Sequence, residues 1–185
     1  MATEIQKQYE MIINCLTNQP IPNIGCEENR QKVLSFLLSY HAFQKFDIQC
    51  DVPIRIQLNG ELYISQIDIV VTIENKNLML IKCAAGSLAS RERETIASAR
   101  LFNESYQIPY AIVSDGQTAI VRDTLTGKKI KEGGLNVIPS RSMLLNMMEK
   151  IEFQKFSDER LNREQRIFRT YDAMNINVQR NVQCV

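Results

Sequence analysis

The sequence holds a single histidine, His41, and no reactive serine motif beside it. Nucleophilic catalysis of the Ser/His or Cys/His kind therefore lacks its base, because nucleophile and imidazole must meet within hydrogen-bond reach. No Gly-x-x-x-x-Gly-Lys-Ser/Thr loop is present to cradle nucleotide phosphates, and 185 residues are too few to include a helicase motor. No apolar run approaches the roughly 20 residues that span a bilayer, so no membrane association is expected. Glu4, Lys7 and Glu10 interrupt the N-terminal stretch, which is not the apolar core of a targeting signal. The five cysteines (Cys15, Cys26, Cys50, Cys83 and Cys184) are odd in number and none are spaced as in a zinc knuckle. They read as reduced thiols of a cytoplasmic protein. Charge of one sign is also missing: 22 Lys and Arg face 21 Asp and Glu, a net +1. A protein that coats nucleic acid is far more basic, so any DNA binding must rest on a local patch.

What is present fits one domain, residues 1–185, with an apolar core of ordinary size. Ile5, Tyr9, Ile12, Ile13 and Leu16 recur at helical spacing and predict a helix over 3–17, ended by Pro20 and Pro22. A second helix is predicted from Glu27 to His41, its buried stripe Val33, Leu34, Leu37 and Leu38. The period then falls to two. Val52, Ile54, Ile56 and Leu58 alternate with polar residues, Asn59-Gly60 marks a hairpin, and a return strand runs over 61–73. Leu78 to Ala84 reads as a central strand, followed by a helix from Ser87 or Ser90 to about Tyr106. Strands over 109–114 and 117–123 follow, divided by Asp115-Gly116. Beyond Pro139 two helices are predicted, one carrying Met143 to Ile151 and one carrying Leu161, Phe168 and Tyr171, with a loose polar end of about ten residues. The expected fold is α/β (α+β): a mixed sheet flanked by helices, with extra helices at both termini.

Four stretches carry a resemblance. Glu28 to Val33 opens the first core helix, Asp68 lies in Ile-Asp-Ile-Val-Val after a hairpin, the apolar strand 78–83 follows, and a helix leads into Ile108-Pro109-Tyr110 and Asp115-Gly116. In order and spacing they resemble the N-terminal nuclease domain of the type I restriction enzyme R subunit, of the PD-(D/E)XK nuclease superfamily. The resemblance spans a restriction-endonuclease-like core over 27–130 and leaves 140–174 as a C-terminal helical extension. It implies a DNA partner and phosphodiester hydrolysis assisted by magnesium or manganese, held by carboxylates converging from neighbouring strands. Asp68 and Glu28 would be the metal ligands, and Lys82 would join them as a catalytic charge stabiliser. Arg93 and Arg100, seven residues apart on one face of the next helix, would meet DNA phosphates.

The chain departs from that family at one place. Where Glu-X-Lys is expected it reads Lys82-Cys83-Ala84, so this strand offers no carboxylate, and an ammonium stands where a metal ligand should. Two functions stay open: a DNA-engaging domain with weakened or lost hydrolysis, and a catalytically silent DNA-binding or protein-interaction module. The C-terminal helices are candidate surfaces for a protein partner or a second copy. Each site residue also has a structural reading. Asp68 and Lys82 would form a buried ion pair. Glu28 would complement a helix dipole. Arg93 and Arg100 would belong to an exposed face laced with Glu92 and Glu94, and Arg160, Arg163, Arg166 and Arg169 to a solvated one.

Overall fold

A computed structural model describes the backbone of residues 9–182 and the side chains of residues 9–174. The N-terminal helix expected over 3–17 is absent where the chain is described; residues 3–8 of that expectation lie outside the described residues. Instead β1 (Met11–Ile13) and β2 (Pro20–Pro22) form a small antiparallel ribbon. The reason is local. The Asn14 carboxamide accepts from the backbone N–H groups of Leu16 and Thr17, and Asn18 takes φ 59°, which closes a turn where a helix would have to run.

From α1 (Glu27–Tyr40) through β7 (Thr118–Asp123) the predicted order holds. β3 (Ile48–Leu58) and β4 (Glu61–Ile73) are the arms of one long hairpin. Its turn, Asn59-Gly60, takes φ 53° and 83°, the positive pair that matches the twist of the flanking strands. β5 (Lys76–Cys83) returns antiparallel to β4, buried from Leu78 onward. α2 (Ala89–Leu101) crosses over so that β6 (Tyr110–Ser114) lies parallel to β5. β7 (Thr118–Asp123) and β8 (Lys129–Gly134) complete a six-stranded mixed sheet in chain order. α2 stops five residues short of Tyr106, because that tyrosine and Asn103 turn back to bond Asn77 at the start of β5. β8 had no counterpart in the sequence reading. It is an edge strand of two lysines, a glutamate, one isoleucine and two glycines, without apolar alternation, and such charges keep an edge from pairing with another chain.

Two cores lie on opposite faces of the sheet. On one, Val33, Leu34 and Leu37 of α1 and Leu144 of α3 (Arg141–Met148) cover Ile69, Val71, Ile81 and Ile112. On the other, Ile96, Ala97 and Ala99 of α2 and Phe168 of α4 (Asp158–Val182) cover Ile67, Val70, Leu80 and Ala111. The polar residues after Met174, expected loose, continue α4 as far as Val182. No described helix is long and apolar enough to cross a membrane.

One irregularity matters for function. Along β3, Ile48 and Cys50 face the α1 side, but Val52, Ile54 and Ile56 face the α2 side. Residues two apart should share a face. They change over at Asp51, whose φ is +54°. Opposite it on β4 the same switch falls at Asp68, between Ile67 on the α2 side and Ile69 on the α1 side. The hairpin thus twists through Asp68.

Candidate functional site

At that twist, Asp68 leaves the regular ladder. The last ladder pair of β4 and β5 on this side is Ile69 with Ile81, and beyond it the Asp68 carboxylate accepts the backbone N–H of Cys83 at 2.6 Å. Lys82, adjacent on β5, points to the opposite face and reaches under α2 and α4. Its ammonium donates to the Gln66 carbonyl at 3.1 Å and pairs with Glu94 of α2 at 3.1 Å and Asp172 of α4 at 4.0 Å. Glu94 is fully buried, and Asp172 and Lys82 are 2% and 7% exposed. Tyr63 and Ser65 of β4 donate to Asp172, the second at 2.9 Å, and Arg91 approaches Glu94 at 3.5 Å. Burial alone would pull the Lys82 pKa down; the Asp68, Glu94 and Asp172 carboxylates outweigh it and hold the ammonium protonated well above the ordinary lysine range.

The expected partnership of Asp68 with Lys82 is therefore looser than the sequence reading had it. Asp68 acts on the ammonium through its field, while the ion pairs run to Glu94 and Asp172. Beside Asp68 a cleft of about 250 Å³ opens toward α1, lined by Cys26, Glu27, Arg30, Asp51 and Gln66. Glu28 is not in it. Its carboxylate pairs with Lys32 and faces a separate depression with Phe36 and Tyr40. The helix carboxylate near Asp68 is Glu27, held by Arg30, which also binds Asp51. Burial pushes the thiols of Cys26, which lines this cleft, and of Cys50, next to Asp51, up to about 11, and Cys83 is raised as well. These sulfurs are poor nucleophiles and poor metal ligands as they stand.

A magnesium-type ion takes oxygens at about 2.1 Å from a converging set. Here Asp68 is turned to a backbone N–H, Glu27 to Arg30, and Glu94 and Asp172 surround an ammonium. Among the described residues no group of three or more His, Cys, Asp or Glu is disposed to hold a metal ion. The donor set does not fit magnesium or manganese. Nor is there room for the second family residue, since Ala84 is 1% exposed, its N–H bound to Ser114 and its carbonyl to Asn29.

Arg93 and Arg100 do share a face, but Arg100 is buried and Arg93 only partly exposed. Residues 94–100 of α2 are all buried. Arg100 binds Glu164 of α4 at 2.6 Å and the Thr124 carbonyl at 2.9 Å, and Arg93 approaches the same carboxylate at 3.5 Å. Both line a cleft of about 680 Å³ between α2, α4 and the β7–β8 turn. Glu94, expected on an exposed face, is buried instead, and Glu164 and Asp172 are buried acids that sequence reasoning did not place at a site. One signal was available: Glu164, Phe168 and Asp172 recur every four residues, so the two acids share the buried stripe of Phe168.

Fold and site together define a mixed α/β domain, covered by helices on both faces, with buried charge gathered where its central strands twist. Residues 26–139, more than half of the chain, match the family described as Type I restriction enzyme R protein N terminus (HSDR_N), and the chain belongs to that family. No curated protein and no solved structure matches it. α3 and α4 lie beyond the matched segment.

Proposed function

We propose that this is a restriction-endonuclease-like domain, of PD-(D/E)XK descent, that engages DNA but has lost metal-dependent phosphodiester hydrolysis. The observation that carries the reading is the buried Lys82 ammonium, enclosed by Glu94, Asp172 and the Gln66 carbonyl beside Asp68. A fixed internal cation supplies the charge that those acids would otherwise take from a divalent ion, and it repels one that approaches. In this reading Asp68 is a structural acceptor, Lys82 a built-in counter-ion and Glu28 a surface residue. Magnesium and manganese are not needed, and a cytoplasmic location where DNA is accessible fits the reduced thiols. The family supports a DNA partner, with Arg93 and Arg100 as candidate contacts.

The test is to incubate the protein with supercoiled plasmid and single-stranded DNA in magnesium or manganese, beside Asp68→Ala, and to measure DNA binding by mobility shift. Retarded DNA that stays uncut is expected. Cleavage by the wild type that Asp68→Ala abolishes would overturn the loss of catalysis, and the absence of any shift would overturn DNA engagement.

A further inference from the structure

The cleft of about 680 Å³ between α2, α4 and the β7–β8 turn is lined by five arginines, Arg93, Arg100, Arg122, Arg160 and Arg163. Two carboxylates face them. Glu92 is held by Arg122, and Glu164 is shared by Arg100 and Arg93. Three positive charges are left over in one concavity of a chain whose formal net charge is only +1. Among the described residues Arg163 makes no ion pair. Arg160 is flat against Phe156, 3.5 Å from the ring centroid, with one donor on the Leu125 carbonyl. Its guanidinium plane is thus fixed before any ligand arrives, which lowers the entropy lost on binding. The volume lies in the range of small-ligand sites, about 300–1,000 Å³, and is too small to seat a duplex.

We propose that this cleft is a phosphate-binding site that takes the phosphate groups of a nucleotide, free or at one position of a nucleic-acid strand. Guanidinium forks match phosphate oxygens bidentately, and clustered arginines facing two spoken-for carboxylates are built for that anion. The site is separate from the Lys82 cluster, since none of Lys82, Glu94 and Asp172 lines it. It straddles the boundary of the segment matched to the family: Arg93, Arg100 and Arg122 lie within residues 26–139, and Arg160, Arg163 and Glu164 come from α4 beyond it. It holds whether or not the domain cuts DNA, and rests on the DNA-engagement reading only for a strand as the source of the phosphate.

Calorimetric titration of the full chain with ATP and, separately, with a short single-stranded oligonucleotide tests it. The variants are Arg163→Gln and Arg93→Gln, neither fully buried, with Arg169→Gln, which stacks on Tyr63 away from the cleft, as the charge-matched control. Binding of at least one ligand is expected, weakened tenfold or more by each cleft variant and less than twofold by the control, with thermal midpoints unchanged. ATP binding alone assigns a free nucleotide, and oligonucleotide binding alone assigns a strand. Binding of neither, or equal loss in the control, overturns the site. Should the DNA shift persist undiminished in both cleft variants, the cleft assignment falls while DNA engagement stands; ATP binding without any DNA shift does the reverse.

Discussion

Lys82 is the residue on which the interpretation turns, and its energetics can be measured directly. Removing the ammonium leaves Glu94 and Asp172 facing one another in the interior, without their main counter-charge. Breaking one side of a buried ion cluster costs about 3–5 kcal/mol, far more than the cluster's net worth against an apolar replacement. Lys82→Met should therefore lower unfolding stability in urea by that amount, and adding Glu94→Gln to it should restore part of the loss. The pH dependence has a definite sign. The folded pKa of Lys82 lies above its ordinary value of 10.5, so its contribution is fully present below that value and is lost as pH rises through the folded pKa. The stability gap between wild type and Lys82→Met should hold constant from neutral pH to about pH 10 and narrow only in stronger alkali. A gap that closes near neutrality would mean that the carboxylates, and not Lys82, set the charge state of the cluster.

Among the elements, the Asp115-Gly116 turn between β6 and β7 is where backbone geometry is least forgiving. Gly116 has φ +82°, and a Cβ there would lie 2.9 Å from Asn29 Cα and 3.0 Å from the Asn29 carbonyl oxygen. That contact joins the turn to the start of α1, beside the Asn29 side chain that caps the end of β5 at Ala84. Gly60 offers a matched comparison, with φ +83° and nothing within 4 Å of its would-be Cβ. Gly60→Ala should cost only the left-handed strain, about 1–2 kcal/mol. Gly116→Ala adds a clash with backbone that cannot swing aside and should cost about 3 kcal/mol or more in the same urea titration. The turn itself was legible, as were α1 and β3 to β7, because Asp-Gly, Asn-Gly and the change from period 3.6 to period 2 are local signals. The ribbon of β1 and β2 was not. The apolar residues from Tyr9 to Leu16 mimic a helix, and the competing hydrogen bonds of Asn14 leave no trace in hydrophobic spacing. The site was half legible for a related reason. Asp68 and Lys82 lie on consecutive strands and can be found from the pattern, whereas Glu94 and Asp172 reach Lys82 from the crossover helix α2 and from α4, 90 residues after Lys82.

For the molecule as a whole, the distribution of charge decides how DNA can be held. With 22 basic and 21 acidic side chains, the long-range field is weak and gives little non-specific attraction. The strongest local surplus of positive charge identified is the arginine cleft, where five guanidinium groups face two carboxylates. Counterion release scales with the number of phosphates neutralised, at about 0.7 per phosphate for a single strand. If one to three phosphates meet the three uncompensated arginines, log K for a short single strand should fall against log salt with a slope between roughly −0.7 and −2. A protein that tracks the backbone with a basic stripe would give a much steeper line. The measurement is a salt series from about 50 to 200 mM by fluorescence anisotropy, repeated with Arg163→Gln, which should flatten the slope by up to roughly 0.7. A slope steeper than about −4, or one unchanged in the variant, would place the DNA on some other surface and leave the cleft without a role in holding it.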